Sequence, residues 1–335
     1  MQIKDAILDF GKMPYSRKLV DRALYPISDL NYLTGGMELG EISCIAAASG
    51  SGKSTFLSQT LEEIIKYDRA FAVFGESTAQ KQQQAMYRQM AGFGADRFEY
   101  VQFEKAGKKT NIGQYFVNEE TAYKIQAKTK GKLFLYDRRY GMTMDKILEA
   151  FRYCHENGGI NYFAIDNLMM IENITNDELR ETKDNVERLL QYVVDANIHV
   201  ILVAHYRKVQ DVTQIRQTMD DIAGTSTVAK KCGTIIGLIR LDKADKKGKP
   251  YKNLGTLLET NNGVDIQQCD AVIEVMKTRF NRLGFVPLKF NQQMNAYYQP
   301  KEWERSNASK GNDYKPKLQA DSTAQTDDEL DELPF

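Results

Sequence analysis

From Tyr25 onward, short unbroken apolar runs alternate with amphipathic stretches. Ile42–Ala48 (ISCIAAA) is one such run; it ends in a Gly/Ser-rich turn, and a helical pattern follows through Tyr67. Ala70–Gly75 (AFAVFG) is the next, followed by a Gln-rich helical stretch, Thr78 to Ala91. Phe134–Tyr136 closes a lysine-rich connection, and Lys146–Glu156 has the spacing of a helix. Tyr162–Ile165 and His199–Ala204 are two more apolar strands, separated by a helix around Val186–Asp195. A strand that is apolar at successive positions must be buried on both faces. Such strands alternating with helices predict an α/β fold, a mostly parallel sheet with helices on both sides. Beyond Ala204 the runs Ile235–Ile239, Leu257–Leu258, Val272–Lys277 and Val286–Asn291 crowd together, which predicts a mixed extension of the same sheet.

The two ends read differently. Residues 1–24 form an arm in which Ile3, Ile7, Leu8 and Phe10 make a short helical stripe, stopped by Gly11 and Pro14. The stripe must be covered, either by the chain's own domain (25–300) or by a neighbouring subunit. Residues 301–335 lose periodicity and are rich in Ser, Asn, Lys, Asp, Gln and Thr, which predicts a disordered tail.

Composition narrows the class. Of 335 residues 42% are apolar, enough for a substantial core. Lys+Arg and Asp+Glu both number 45, but Leu318 to Phe335 hold six acids and no base, so the rest of the chain carries +6 (45 bases against 39 acids). A mildly basic body is compatible with a polyanionic partner. No apolar run approaches the length of a membrane span, and the start, MQIKDAILDFGK, lacks a leader's apolar core, so the expected location is the cytoplasm. Cys44, Cys154, Cys232 and Cys269 are far apart and histidines number three, so buried reduced thiols are expected rather than a zinc site.

The chemistry begins at Ala47, Ala48, Ser49, Gly50, Ser51, Gly52, Lys53, Ser54 and Thr55, which follow a strand and open a helix. This is the phosphate-binding P-loop pattern, with Ala47 in the usual first Gly position. Small residues let successive backbone N–H groups curl around phosphates, and the helix turns its positive end to the same charge. Lys53 is placed for the β- and γ-phosphates of a nucleotide and the Ser54 hydroxyl for Mg²⁺. Asp166, after the YFAI run, stands at a neighbouring strand end, where an acid orders metal-bound water. Glu76 ends the AFAVFG strand at the same edge and is the candidate to activate the attacking water; its alternative is an N-cap, where Ser77 and Thr78 compete. His205 ends the HVILVA strand and could report a γ-phosphate, or be merely structural.

Taken together these segments resemble one family, the hexameric replicative DNA helicases of the DnaB-like superfamily, in the flavour of the helicase half of phage primase-helicases and mitochondrial Twinkle. The resemblance runs from about Ile27 to about Tyr298. It rests on the lead-in Ser28–Glu41, on the P-loop, on Phe74-Gly75-Glu76-Ser77, on Ile165-Asp166-Asn167-Leu168, on His205-Tyr206-Arg207-Lys208 and on Lys277-Thr278-Arg279-Phe280. It implies a RecA-like P-loop NTPase core, ATP or dTTP with Mg²⁺ as fuel, and Glu76 as catalytic acid–base group. It further implies His205 as phosphate sensor, Arg279 as an arginine finger reaching the neighbouring subunit's nucleotide, and Lys277 as its companion. Arg207 and Lys208, with Lys230 and Lys231 behind them, become the candidates for gripping single-stranded DNA. The resemblance implies a homo-hexamer that moves 5′→3′ along one strand of forked DNA. Gly233 departs from the family, which usually has Asp there, and the Asp242–Asn253 connection is unusually lysine-rich.

The end, Asp327-Asp328-Glu329-Leu330-Asp331-Glu332-Leu333-Pro334-Phe335, resembles the acidic tip of bacterial single-stranded-DNA-binding proteins. It is expected to dock on a DNA polymerase, a primase or another replisome protein, or to compete with DNA for the motor's own channel. A RecA-like strand-exchange recombinase and a regulatory DNA-stimulated ATPase are the rival classes.

Overall fold

The computed structural model describes residues 21–92, 96–172, 177–206, 217–223, 226–241, 269–279 and 281–300. Residues 1–20 of the arm, Arg207 and Lys208, the Asp242–Asn253 connection, Leu257–Leu258 and the 301–335 tail lie outside the described residues. In chain order the elements are β1 (Arg22–Ala23), α1 (Ser28–Thr34), β2 (Met37–Glu38), β3 (Ile42–Ala47), α2 (Lys53–Ile64), β4 (Ala70–Phe74) and α3 (Ala79–Ala91). They continue with β5 (Asp96–Lys105), β6 (Lys108–Val117), α4 (Glu119–Thr129), β7 (Leu133–Leu135), α5 (Met144–Gly158), β8 (Tyr162–Asp166), α6 (Glu178–Ala196) and β9 (His199–His205). The last are α7 (Ser226–Lys231), β10 (Thr234–Arg240), β11 (Ala271–Lys277), β12 (Gly284–Asn291) and β13 (Ala296–Tyr298).

Nine of the described strands form one sheet in the order β13-β12-β11-β10-β3-β9-β8-β4-β7. The six from β10 to β7 are mutually parallel, and β11, β12 and β13 extend the sheet antiparallel, the mixed extension that the crowded later runs predict. Alternation along each parallel strand divides the core in two. Ile42, Cys44, Ala46, Phe71, Val73, Phe163, Ile165, Val200 and Leu202 face α5 and α6, meeting Ile147, Phe151, Val186, Leu189 and Val193. Ile45, Ala47, Ala70, Ala72, Phe74, Ala164, Ile201 and Val203 face the opposite way, towards Phe56, Leu57 and Leu61 of α2. The central strands β3, β4, β8 and β9 are therefore wet on neither face, which is the physical source of their apolar runs, while the edge strand β7 is only half-buried. All four cysteines are free and buried. No helix among the described residues is long and apolar enough to cross a membrane.

The lysine-rich connection differs from expectation. It contains a ten-residue antiparallel ribbon, β5 paired with β6, and then the helix α4, whose N-cap Asn118 accepts from the Thr121 N–H at 2.8 Å. Arg88 of α3 lies 3.5 Å over the Tyr115 ring, tying the ribbon to the body of the domain.

Candidate nucleotide-hydrolysis site

Because β3, β4, β8 and β9 are parallel neighbours, their carboxyl ends share one edge. Ala47 is level with His205, and Phe74 with Asp166. In an open parallel sheet this edge is where ligands bind, and the order of the chain reverses here: β3 leads through α2 to β4, skipping β9 and β8.

The loop after β3 carries its glycines where φ is positive: Gly50 at 69° and Gly52 at 86°. Gly52 is the N-cap of α2, and it is hemmed in from outside. A Cβ there would stand 2.2 Å from the Tyr297 hydroxyl, which donates to the Ser51 carbonyl at 2.9 Å. β13 thus braces the loop from the far end of the sheet. Lys53 is buried and donates from Nζ to the Ala48 carbonyl at 3.0 Å, so its charge is held over the loop.

Asp166 ends β8 and is buried. Burial pushes its carboxyl above the ordinary range; the hydrogen bond from Ser54 and the charge of Lys53 pull the other way, while Glu76 adds to the rise. An anion that is costly to keep here, next to a hydroxyl, is an all-oxygen donor pair suited to a hard cation such as Mg²⁺. Among the described residues no three His, Cys, Asp or Glu side chains gather as a metal-binding group. The pair therefore fits an ion completed by nucleotide phosphates and water rather than a cage of protein ligands.

Glu76 follows β4 and does not cap α3; Thr78 does, accepting from the Lys81 N–H at 3.3 Å. Its Oε1 instead accepts from Asn167 Nδ2 at 2.5 Å and lies 3.0 Å from His205 Nε2. Asn167 Nδ2 is itself 2.8 Å from that Nε2, and the Asp166–Asn167 peptide is cis. Lys53, Ser54, Glu76, Asp166 and His205 are thus brought to one edge. Asn167 and Tyr297 join them without having been singled out by sequence: neither is a carboxylic acid or a base, and Tyr297 lies 245 residues from Gly52.

Lys277 and Arg279 are elsewhere. β11 runs antiparallel to β10, so its end lies at the amino edge of the sheet, with Lys277 opposite Ile235 and Ile235 opposite Cys44. Lys277 Nζ donates to the carbonyls of Ala229 at 2.8 Å and Lys230 at 3.0 Å, closing the last turn of α7, and burial lowers its pKa. The half-exposed Arg279 guanidinium is 3.9 Å from Glu41, just before β3. Gly233 makes room for that carboxylate, since a Cβ there would stand 2.5 Å from Glu41 Oε2. The Glu41 carboxylate thus occupies the space that a side chain at 233 would need. Lys230 and Lys231, on α7, belong to this amino edge as well. At about 3.3 Å per residue, seven residues of β3 and its flanks separate Glu41 from Ala48 by roughly 23 Å, so Arg279 does not serve its own chain's P-loop.

Comparison with known proteins agrees with this architecture. The DnaB-like helicase C terminal domain matches residues 25–299. Among solved structures, the ATPase domain of G40P superposes with a TM-score of 0.63 at 14% identity, covering 85% of this chain and 93% of that one. A DnaB-like replicative helicase, described with its interactions with primase, superposes with a TM-score of 0.61 at 15% identity, covering 84% of this chain and 64% of that one. A search of curated protein sequences gives no match. The family match over most of the chain, on a sheet that carries a P-loop and strand-end acids at one edge, makes this chain a member of the DnaB-like helicase family, an ATP-dependent helicase.

Proposed function

We propose that residues 25–300 form the motor of a homo-hexameric ring that moves 5′→3′ along single-stranded DNA and parts the duplex at a fork. One observation carries the reading: the groups for hydrolysis converge at the carboxyl edge, while Arg279 pairs with Glu41, roughly 23 Å away towards the opposite edge, and Lys277 lies level with Cys44 on the same side. A site divided in this way is completed by a second copy.

In this reading ATP, or dTTP, lies along Ala47–Thr55 with its β- and γ-phosphates at Lys53. Ser54 and Asp166 hold Mg²⁺, which when bound supplies charge neutralisation for the phosphates. Glu76 orients water and takes its proton as the oxygen attacks the γ-phosphorus and the bond to the β-phosphate breaks. The neighbour's Arg279 stabilises charge on the transferring group, an effect of about 10³–10⁵ in rate for such fingers. His205 senses the γ-phosphate and passes its state to Arg207 and Lys208, which with Lys230 and Lys231 grip the DNA backbone. The protein acts in the cytoplasm, with the acidic tail docking on a polymerase, primase or other replisome protein.

The test is Arg279→Ala in the full chain. Nucleotide binding stays at the wild-type level while strand-stimulated hydrolysis is lost; mixing with Lys53→Ala copies, which keep a finger but lack a working P-loop, restores part of it. Normal turnover by Arg279→Ala alone would remove the finger in trans.

A further inference from the structure

Asn167 is 2% exposed, and its amide is not free to turn. Its Oδ1 accepts from the Met169 N–H at 2.9 Å, which sets both Nδ2 protons towards the other side. Two atoms face them there: Glu76 Oε1 at 2.5 Å and His205 Nε2 at 2.8 Å, themselves 3.0 Å apart.

Three polar atoms so placed cannot all be bonded to one another. The carboxylate oxygen only accepts, the amide nitrogen only donates, and the imidazole nitrogen does one or the other according to its tautomer. With Nε2 bare, Asn167 donates to both partners, and two lone pairs oppose each other along the Glu76–His205 edge. With the proton on Nε2, His205 and Asn167 both donate to Glu76, and two N–H groups oppose each other along the third edge. Each arrangement leaves one repulsive edge. An outside acceptor for the His205 proton relieves the second, leaving Glu76 held by Asn167 alone.

We propose that Asn167 is a positioning residue that joins Glu76 to His205, keeping the carboxylate at the strand end while the imidazole turns between it and an incoming phosphoryl oxygen. The proposal rests on Glu76 as the group that activates water and His205 as the sensor. It adds the part that lets one register the other. Removing the amide leaves nucleotide capture by the P-loop intact and separates hydrolysis from the state of His205.

The experiment uses the full chain and measures ATP hydrolysis with and without oligo-dT. The variants are Asn167→Ala, the isosteric Asn167→Asp, which fills the same space without N–H donors, and Asn167→Ser, which keeps one donor. The expected result is KM for nucleotide within about twofold of wild type and a fall of about 10- to 100-fold in DNA-stimulated kcat for Ala and Asp, with Ser intermediate. Combined with His205→Ala, Asn167→Ala costs less than the product of the two single losses, because the link between them is cut only once while the hold of Asn167 on Glu76 is lost in addition. The proposal is overturned by wild-type kcat and stimulation in either Ala or Asp, by losses that multiply in the double variant, or by KM rising in step with the loss. Glu76→Gln separates the two levels. If it abolishes hydrolysis while Asn167→Ala does not slow it, the positioning role fails and the acid–base role stands; if Glu76→Gln still turns over, both fall.

Discussion

His199 opens β9, wholly enclosed, between Ser43 of β3 and the chain before it. Its Nδ1 lies 2.6 Å from the Glu38 carbonyl and its Nε2 2.9 Å from Ser43 Oγ. A carbonyl only accepts, so Nδ1 carries the proton and Nε2 accepts from the serine, and the neutral ring is fully used. Burial depresses the pKa from 6.5 to about 4, against a smaller opposing effect of the Glu38 hydrogen bond. The unfolded chain therefore binds a proton here that the folded chain refuses between those two values. With more protons on the unfolded side, stability rises with pH across the window. The contribution is fully present above about pH 6.5 and disappears as pH falls towards 4. A shift of that size is worth about 3 kcal/mol. The assay is urea unfolding of the full chain at closely spaced pH values, wild type against His199→Gln, so that the buried acids, which act in the opposite direction, cancel. The difference between the two stability curves should grow by about 3 kcal/mol in favour of wild type from pH 4 to pH 7. Parallel curves would refute a neutral buried ring.

Other outcomes follow from contacts at the two edges. Gly52→Ala sets a side chain at φ 86°, 2.2 Å from the Tyr297 hydroxyl, so nucleotide affinity should fall at least about tenfold in a fluorescent-nucleotide titration. Tyr297→Phe removes the donor to the buried Ser51 carbonyl, and the folded state should lose about 1–3 kcal/mol in denaturant titrations, more than a surface change would cost. Gly233→Ala evicts the Glu41 carboxylate from beside Arg279; DNA-stimulated turnover should drop while nucleotide affinity holds, and an unchanged rate would show that Glu41 does not set the position of Arg279.

How far the fold could be read from residues alone depended on how each strand is buried. β3, β4, β8 and β9 have helices on both sides and no wet face, so apart from Ser43 and the strand ends their positions are apolar and the runs stand out. The ribbon β5–β6 belongs to neither face of the main sheet. Its exposed Phe103 and Ile112 sit among Lys, Gln and Thr, and its turn places Ala106 and Gly107 at φ 52° and 77°, a conformation that Asn-Gly or Asp-Gly would have advertised. α1 is seven residues long and gave no period to count. The site was legible where chemistry demands a residue type at a strand end, as for Lys53, Glu76, Asp166 and His205. It was hidden where the contact is made by a neutral amide or a remote phenol, as for Asn167 beside Glu76 and His205 and Tyr297 against the phosphate loop. The direction of β11, which sends Arg279 to the far edge, comes from an antiparallel return that no motif spacing encodes.

The roughly 23 Å between Ala48 and Glu41 also governs counting. In the arrangement proposed above, with the arginine acting in trans, the contact joins the carboxyl edge of one copy to the amino edge of the next and is head-to-tail, so two copies cannot satisfy each other symmetrically. An open row of such copies always has one vacant pocket at one end and one idle arginine at the other. Only closure pairs the last of each, so joining the two ends adds a working engine without adding a molecule.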